Sequence, residues 1–207
     1  MGFLALEGGV CSGKSTLLAK ATQEDVGIVR EYMDFLPADH PCHSILLPPL
    51  ERLSLFFGIE SKRMKDAGEL VRHTVADRCI LSLIAFELAL MEMGEKSELV
   101  SFASSSDLTV ALPDRVLFLE ISDALRLDRW CRRGFFSDSI FVLPKFNASI
   151  RKSVVKAALY TRVDVVEASA LTHAELYEVF DKSLRELSPW TPTKRVLLHE
   201  MVSNVIA

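Results

Sequence analysis

The sequence predicts an α/β protein built on a five-stranded parallel sheet with helices on both faces. Three observations carry this expectation. An apolar run, Phe3 to Leu6, leads through a glycine-rich loop into a helical pattern that starts near Gly13 and places Leu17, Leu18 and Ala21 on one face. Short apolar runs then alternate with helical patterns down the chain, as expected for parallel strands joined by right-handed helical crossovers. Charged residues follow two of these runs, at Arg30 and Glu31 and at Asp77 and Arg78, and ligands in such sheets sit at the C-terminal ends of strands.

The first loop is the most specific signal. Gly8, four intervening residues, then Gly13, Lys14 and Ser15 match the G-x-x-x-x-G-K-[ST] pattern of a phosphate-binding loop. Such a loop must aim successive backbone N–H groups at a triphosphate, and glycine permits the φ values and the close approach this needs. Gly8, Gly9, Val10, Cys11, Ser12, Gly13, Lys14, Ser15 and Thr16 are the candidate nucleotide-binding residues. Lys14 would reach the β- and γ-phosphates, the Ser15 hydroxyl would ligate Mg²⁺, and the following helix would direct its positive end at the phosphates. The alternative is a plain glycine-rich turn. The order strand, loop, helix argues against it.

Later elements follow in order. Val26 to Val29 reads as a second strand, and Pro37, Pro41, Pro48 and Pro49 mark a loop. A helix is expected from about Leu50 to Lys65, ended by Asp66 to Gly68. Leu70 to Ala76 reads as a third strand, and Cys79 to Met93 as a helix apolar nearly all round and therefore buried. Gly94 to Asp107 is polar and Ser-rich, a helix end plus a loop. Pro113 to Ile121 is the clearest later strand, and Ser122 or Asp123 can cap a helix from Ala124 to Arg133. A lid-like segment, 133–144, precedes a helix from Phe146 to Leu159 and a fifth strand from Val163 to Glu167. Thr172 caps the helix that runs to Leu187, with Glu175 as capping-box partner. Residues 1–188 are expected to form one domain. The tail, 189–207, is apolar enough from Arg195 to Ile206 to dock on it.

Composition narrows the function classes. Hydrophobic residues at 49% and charged residues at 25% are ordinary for a globular protein. A net charge of -4 argues against a broad nucleic-acid surface. Cys11, Cys42, Cys79 and Cys131 show no C-x-x-C pairing, which argues against a metal cluster or disulfide framework and for a reducing cytoplasm. No leader pattern precedes the first strand, and the Cys79–Met93 run carries Glu87 and Glu92 and is too short to span a bilayer. That helix is also a candidate homodimer face.

The strand-end residues supply candidate chemistry. Asp77 stands where a second Mg²⁺-directed carboxylate belongs, and Arg78 would point at acceptor or phosphoryl oxygens. Glu31 can act as base or hydrogen-bond acceptor, and a surface ion pair is the alternative for each strand end. Arg126, Arg129 and Arg133 share helical spacing, and with Arg132 they precede a segment able to close on a transferring phosphoryl group. A solvated helix face is the competing reading.

These residues carry a family resemblance. Leu6, Glu7 and Gly8 leading into Ser12 to Thr16 resemble the phosphate loop of thymidylate kinases and deoxynucleoside kinases. Arg30 and Glu31 resemble the start of the R-E-P motif of the former. Asp77 and Arg78, followed by Ser82, Ala85 and Phe86, resemble their D-R-[YF]-x-x-S-x-x-A-[YF] segment. Pro113 to Glu120, Leu127 and the Arg132, Arg133, Gly134 run are similar to their fourth strand and lid entry, and Val165 to Ser169 with Glu175 to Leu187 to their last strand and helix. The resemblance implies a three-layer P-loop kinase fold with a small lid and an ATP- and Mg²⁺-dependent phosphotransferase. It implies Lys14, Asp77, Arg78, Arg129, Arg132 and Arg133 as catalytic, Ser15 and Asp77 as metal-directed, and Arg30, Glu31, Phe57 and Arg78 as acceptor-binding. Val10 departs from the acidic residue of thymidylate kinases, Tyr32 from the usual proline, and Glu60 and Ser61 from an Asp-Arg pair. Arg30 points to a nucleoside monophosphate as acceptor. A nucleoside hydroxyl is the second reading, and a non-catalytic ATP-binding regulator the third.

Overall fold

The alternation of side chains along Gly2–Glu7, here β1, divides the interior in two. Phe3 and Ala5 face one layer while Leu4 and Leu6 face the other, as a period of two requires. The computed structural model describes residues 2–21, 26–37, 47–68, 73–105, 107–187 and 194–207. Among these, β1 is flanked by β3 (His73–Asp77) and β5 (Arg115–Glu120), with β2 (Gly27–Val29) outside β3 and β6 (Arg162–Glu167) outside β5. The five strands run parallel in the order β2-β3-β1-β5-β6.

Helices cover both faces. The Leu4 and Leu6 side packs against α1 (Lys14–Ala21) and α7 (His173–Arg185), through Leu17, Leu176 and Phe180. The Phe3 and Ala5 side packs against α3 (Ile80–Glu92) and reaches α6 (Pro144–Lys156) and α2 (Pro49–Gly68), through Ile80, Ile84, Val154 and Phe57. Each large apolar side chain so buried contributes about 1.5–3 kcal/mol before chain entropy is charged against it. The α3 helix is apolar on nearly every side because α6 lies along it and α2 and residues 99–104 and 109–112 also pack on it.

One expectation is corrected. The Ser-rich stretch expected as loop contains α4 (Leu99–Ser104), with Leu99 and Ala103 buried. It runs into β4 (Thr109–Leu112), which pairs antiparallel with β7 (Lys194–Leu197) as a separate two-stranded sheet. The C-terminal segment then ends in α8 (Leu198–Ile206), whose Leu198, Met201, Val202 and Val205 enter the core. The onset of the third strand at Leu70, the loop proline Pro41 and Pro189 lie outside the described residues. Helix α5 (Asp123–Arg132) is capped by Ser122, and α7 carries the full capping box between Thr172 and Glu175. Among the described residues, no helix is long and apolar enough to cross a membrane.

Candidate active site

Because β3 pairs with both β1 and β2, three strand ends meet at one edge. Leu6 pairs with Asp77, and Val29 with Ala76. The loop after β1, the Arg30 and Glu31 pair after β2, and Asp77 and Arg78 at the end of β3 are thereby brought together, as the sequence led us to expect.

The loop has the backbone its glycines permit. Gly8 and Gly13 have φ of 132° and 104°, and Cys11 takes a left-handed 62°. A side chain at Gly8 would also collide with the carbonyl of Leu119 on β5. At Gly9 a Cβ would stand 2.5 Å from Asn147 Oδ1 and 3.0 Å from Arg126 Nε, so α5 and α6 press on the loop from outside. Helix α1 starts at Lys14, and the amides of Thr16 and Leu17 return to the Gly13 carbonyl. Ser15 and Thr16 are exposed at its first turn, and Ser12 is buried beneath it.

Lys14 folds back over the loop. Its Nζ donates to the carbonyls of Gly8 and Gly9, both at 3.1 Å, and to the Ser12 hydroxyl at 3.4 Å. Burial first, and the Arg78 charge second, bring its pKa down to about 8. A triphosphate supplies negative charge that restores the ammonium. Nucleotide binding at pH near 8 is therefore expected to take up a proton, and affinity to fall as pH rises past about 8. Calorimetric titration in buffers of different ionisation enthalpy measures this. Equal apparent enthalpies in all buffers would contradict it.

The two charged strand ends are joined. Arg78 Nε donates to Glu31 Oε1 at 2.6 Å, and Arg78 Nη1 donates to the Gly8 carbonyl at 3.3 Å. Arg78 itself has φ of 68°, and its N–H donates to the Leu6 carbonyl at 3.0 Å. Burial pushes the Glu31 carboxyl up, but Arg78, through its charge and hydrogen bond, and Lys14 outweigh this and hold it below the ordinary value. Asp77 goes the other way. Burial raises its pKa, Glu31 adds to the rise, and Lys14 and Arg78 only partly oppose it. Its Oδ1 is buried with no hydrogen-bond partner among the described residues.

That orphaned oxygen and the exposed Ser15 hydroxyl are hard donors of the type Mg²⁺ takes. Among the described residues no group of three or more His, Cys, Asp or Glu forms a metal cluster. A site of one hydroxyl and one carboxylate suits an ion held mainly by phosphate oxygens and water.

The other expected residues are distributed unevenly. Arg129 reaches the loop, with Nη1 donating to the Cys11 carbonyl at 2.9 Å. Arg126 is buried, held by Asp123 and the Ile121 carbonyl, so it does not share an exposed face with its neighbours. Arg132 pairs with Asp128 at 3.0 Å on an exposed flank, and Arg133 is exposed beyond the helix end. Arg30 is exposed, Val10 is half-buried against the Leu4 and Leu6 layer, and Phe57 sits in the opposite layer with its ring 5.1 Å from that of Phe102.

Two residues were passed over in the sequence. Glu7 is buried and accepts from the Cys79 amide at 2.8 Å, from Cys79 Sγ at 3.2 Å and from the Ser82 hydroxyl. It thus ties the loop entry to the start of α3, where an anion is favoured. Arg63 is the second, and its sequence signal is its place on the buried stripe of α2 with Phe56, Ile59 and Glu60.

No protein-family model matches the chain, and no curated protein matches it. Solved structures do. The deoxyadenosine kinase of M. mycoides, with products dCMP and a flexible dCDP bound, gives a TM-score of 0.71 at 19% identity over 88% of this chain and 98% of that one. With dATP bound, that kinase gives 0.68 at 18% identity over 89% and 100%. Thymidylate kinase from Candida albicans gives 0.64 at 19% identity over 94% and 97%. The chain therefore has the fold of the P-loop nucleoside and nucleotide kinases.

Proposed function

We propose that this protein is an ATP-dependent kinase that phosphorylates a hydroxyl of a nucleoside. The observation that carries the reading is the Glu31–Arg78 pair, set against the carbonyl of Gly8 at the start of the phosphate loop. Such chemistry needs a donor site, an acceptor site beside it and little covalent machinery. The loop amides, Lys14 and the Arg129 guanidinium form the donor side. Mg²⁺, held by Ser15 and Asp77, would supply neutralisation of charge on the phosphate oxygens. Glu31, ionised over the whole neutral range, is placed to accept the proton of an acceptor hydroxyl. Arg78 orients that carboxylate and adds positive charge beside the loop.

A monophosphate acceptor would instead need a cationic clamp, which the sequence suggested at Arg30. Here Arg30 is exposed while Glu31 is tied to the loop through Arg78, and this favours the hydroxyl. The likeness to a deoxyadenosine kinase supports the nucleoside class, and the likeness to a thymidylate kinase keeps the monophosphate as the competing outcome. Two substitutions separate them. Glu31→Gln is expected to lower kcat by roughly 10²–10⁴-fold, the usual worth of a general base, with Arg30→Ala mild. A large rise in acceptor KM for Arg30→Ala, with Glu31→Gln near wild type, would reverse the assignment.

A further inference from the structure

Arg63 lies on α2, distant in sequence from every strand end, yet it is fully buried. Its Nε donates to the Arg30 carbonyl at 2.8 Å, and its Nη2 to the carbonyls of Asp77 at 2.8 Å and Arg78 at 2.9 Å. Nη1 donates to Glu60 Oε2 at 2.8 Å, and the guanidinium lies 3.9 Å from the centroid of the Tyr32 ring. Three of its four acceptors are thus main-chain oxygens of the two segments that carry Glu31, Asp77 and Arg78.

We propose that Arg63 is a positioning residue for phosphoryl transfer, clamping the ends of β2 and β3 so that Glu31 and Arg78 meet beside the phosphate loop. The proposal rests on the kinase reading above. The pairing between β2 and β3 ends at Val29 and Ala76, so ladder hydrogen bonds no longer fix the next residues of either strand. Arg63 takes over at that point, with one bond to the β2 side and two to the β3 side. The left-handed Arg78 is a conformation that a non-glycine residue keeps only when its surroundings enforce it. Arg63 on its carbonyl and Leu6 on its amide do so from opposite sides. Only a planar fork can serve these carbonyls at once. A lysine offers one nitrogen and cannot reproduce the geometry. Glu60 balances the buried charge without competing for the carbonyls. Helix α2 is thereby joined to the strand ends through an arginine whose hydrogen bonds go to main-chain oxygens and Glu60.

The test compares Arg63→Lys and Arg63→Met with wild type, using ATP and the best acceptor found. Expected is a loss in kcat of about 10²-fold or more, as for a misplacement of about 1 Å, with the KM for ATP unchanged because, among the described residues, Arg63 hydrogen-bonds to Arg30, Glu60, Asp77 and Arg78 and not to the loop. Amide exchange should quicken at Arg30 to Tyr32 and at Arg78 and Cys79 while α1 keeps its protection. A kcat per folded molecule equal to wild type, or exchange that rises uniformly with falling thermal stability, would overturn the proposal. Should neither variant fold, Glu60→Gln is read in the same way. A kcat and an exchange pattern equal to wild type in that variant would also overturn it. If wild type phosphorylates no acceptor, the kinase reading fails by itself. The exchange pattern then still decides whether Arg63 holds the two strand ends.

Discussion

Lys14→Ala is expected to reduce phosphoryl transfer by at least roughly 10²–10³-fold, the loss seen when one preorganised charge-stabilising donor is removed. The reason lies in its surroundings. Lys14 is the single cation that the loop itself contributes, and its Nζ already stands among the loop oxygens, at 3.1 Å from the Gly8 and Gly9 carbonyls. Arg78 is close but is engaged by Glu31, and Arg129 bonds to the Cys11 carbonyl. Neither can replace a point charge at the β- and γ-phosphates. ATP binding should weaken as well, because ground and transition states both need the charge. Folding should not suffer, since a buried ammonium whose pKa has been brought down to about 8 costs the native state stability at neutral pH. Steady-state turnover and calorimetric ATP binding measure the two effects. Transfer near the wild-type rate would remove the loop from the mechanism.

The second large effect is Asp77→Asn. Its kcat should fall by roughly 10²-fold or more while thermal stability holds or rises. The sign follows from the direction of the Asp77 shift. Burial, the largest cause, raises its pKa above the unfolded value of about 3.9, so its contribution to stability is fullest below that value. It is lost as pH rises through the folded pKa, and above that point the ionised carboxylate, with Oδ1 unpaired among the described residues, is a net cost to the fold. Asparagine removes the charge and keeps the shape. A charge held at the expense of stability at a strand end beside the loop is the ground on which we propose a functional role for Asp77. A matched loss of melting temperature and activity would instead mark Asp77 as a structural residue.

The parts of the fold legible in the sequence were those with local signals. Phe3 to Thr16 announced itself through an apolar run, glycine spacing and a helical repeat within a few residues. The charged residues at 30–31 and 77–78 marked strand ends because they interrupt apolar runs. The β4–β7 pair was not legible, since each strand is four residues long and their pairing joins Thr109 to Leu197, far apart in the chain. Helix α4 was hidden by serines that read as loop. Helical spacing grouped Arg126 with Arg129 and Arg133, but Asp123 one turn earlier and the Ile121 carbonyl draw Arg126 inward. Phe57 and Phe56 are neighbours in sequence but face different surroundings. Phe56 lies edge-on to Tyr32 beyond the end of β2, while Phe57 packs in the main core. Arg63 stands between Lys62 and Lys65, so no local charge signal sets it apart from solvated charges. Its place on the Phe56 and Ile59 stripe was the available clue.

The central claim is tested most directly by incubating the protein with ATP and Mg²⁺ and a panel of nucleosides and nucleoside monophosphates, following ADP formation and the phosphorylated product by ³¹P nuclear magnetic resonance. The account predicts a nucleoside monophosphate formed from a nucleoside, with one ADP for each, and loss of that product in Glu31→Gln. ATP binding without turnover of any acceptor would contradict it, and would leave a protein that uses the phosphate loop to sense nucleotide.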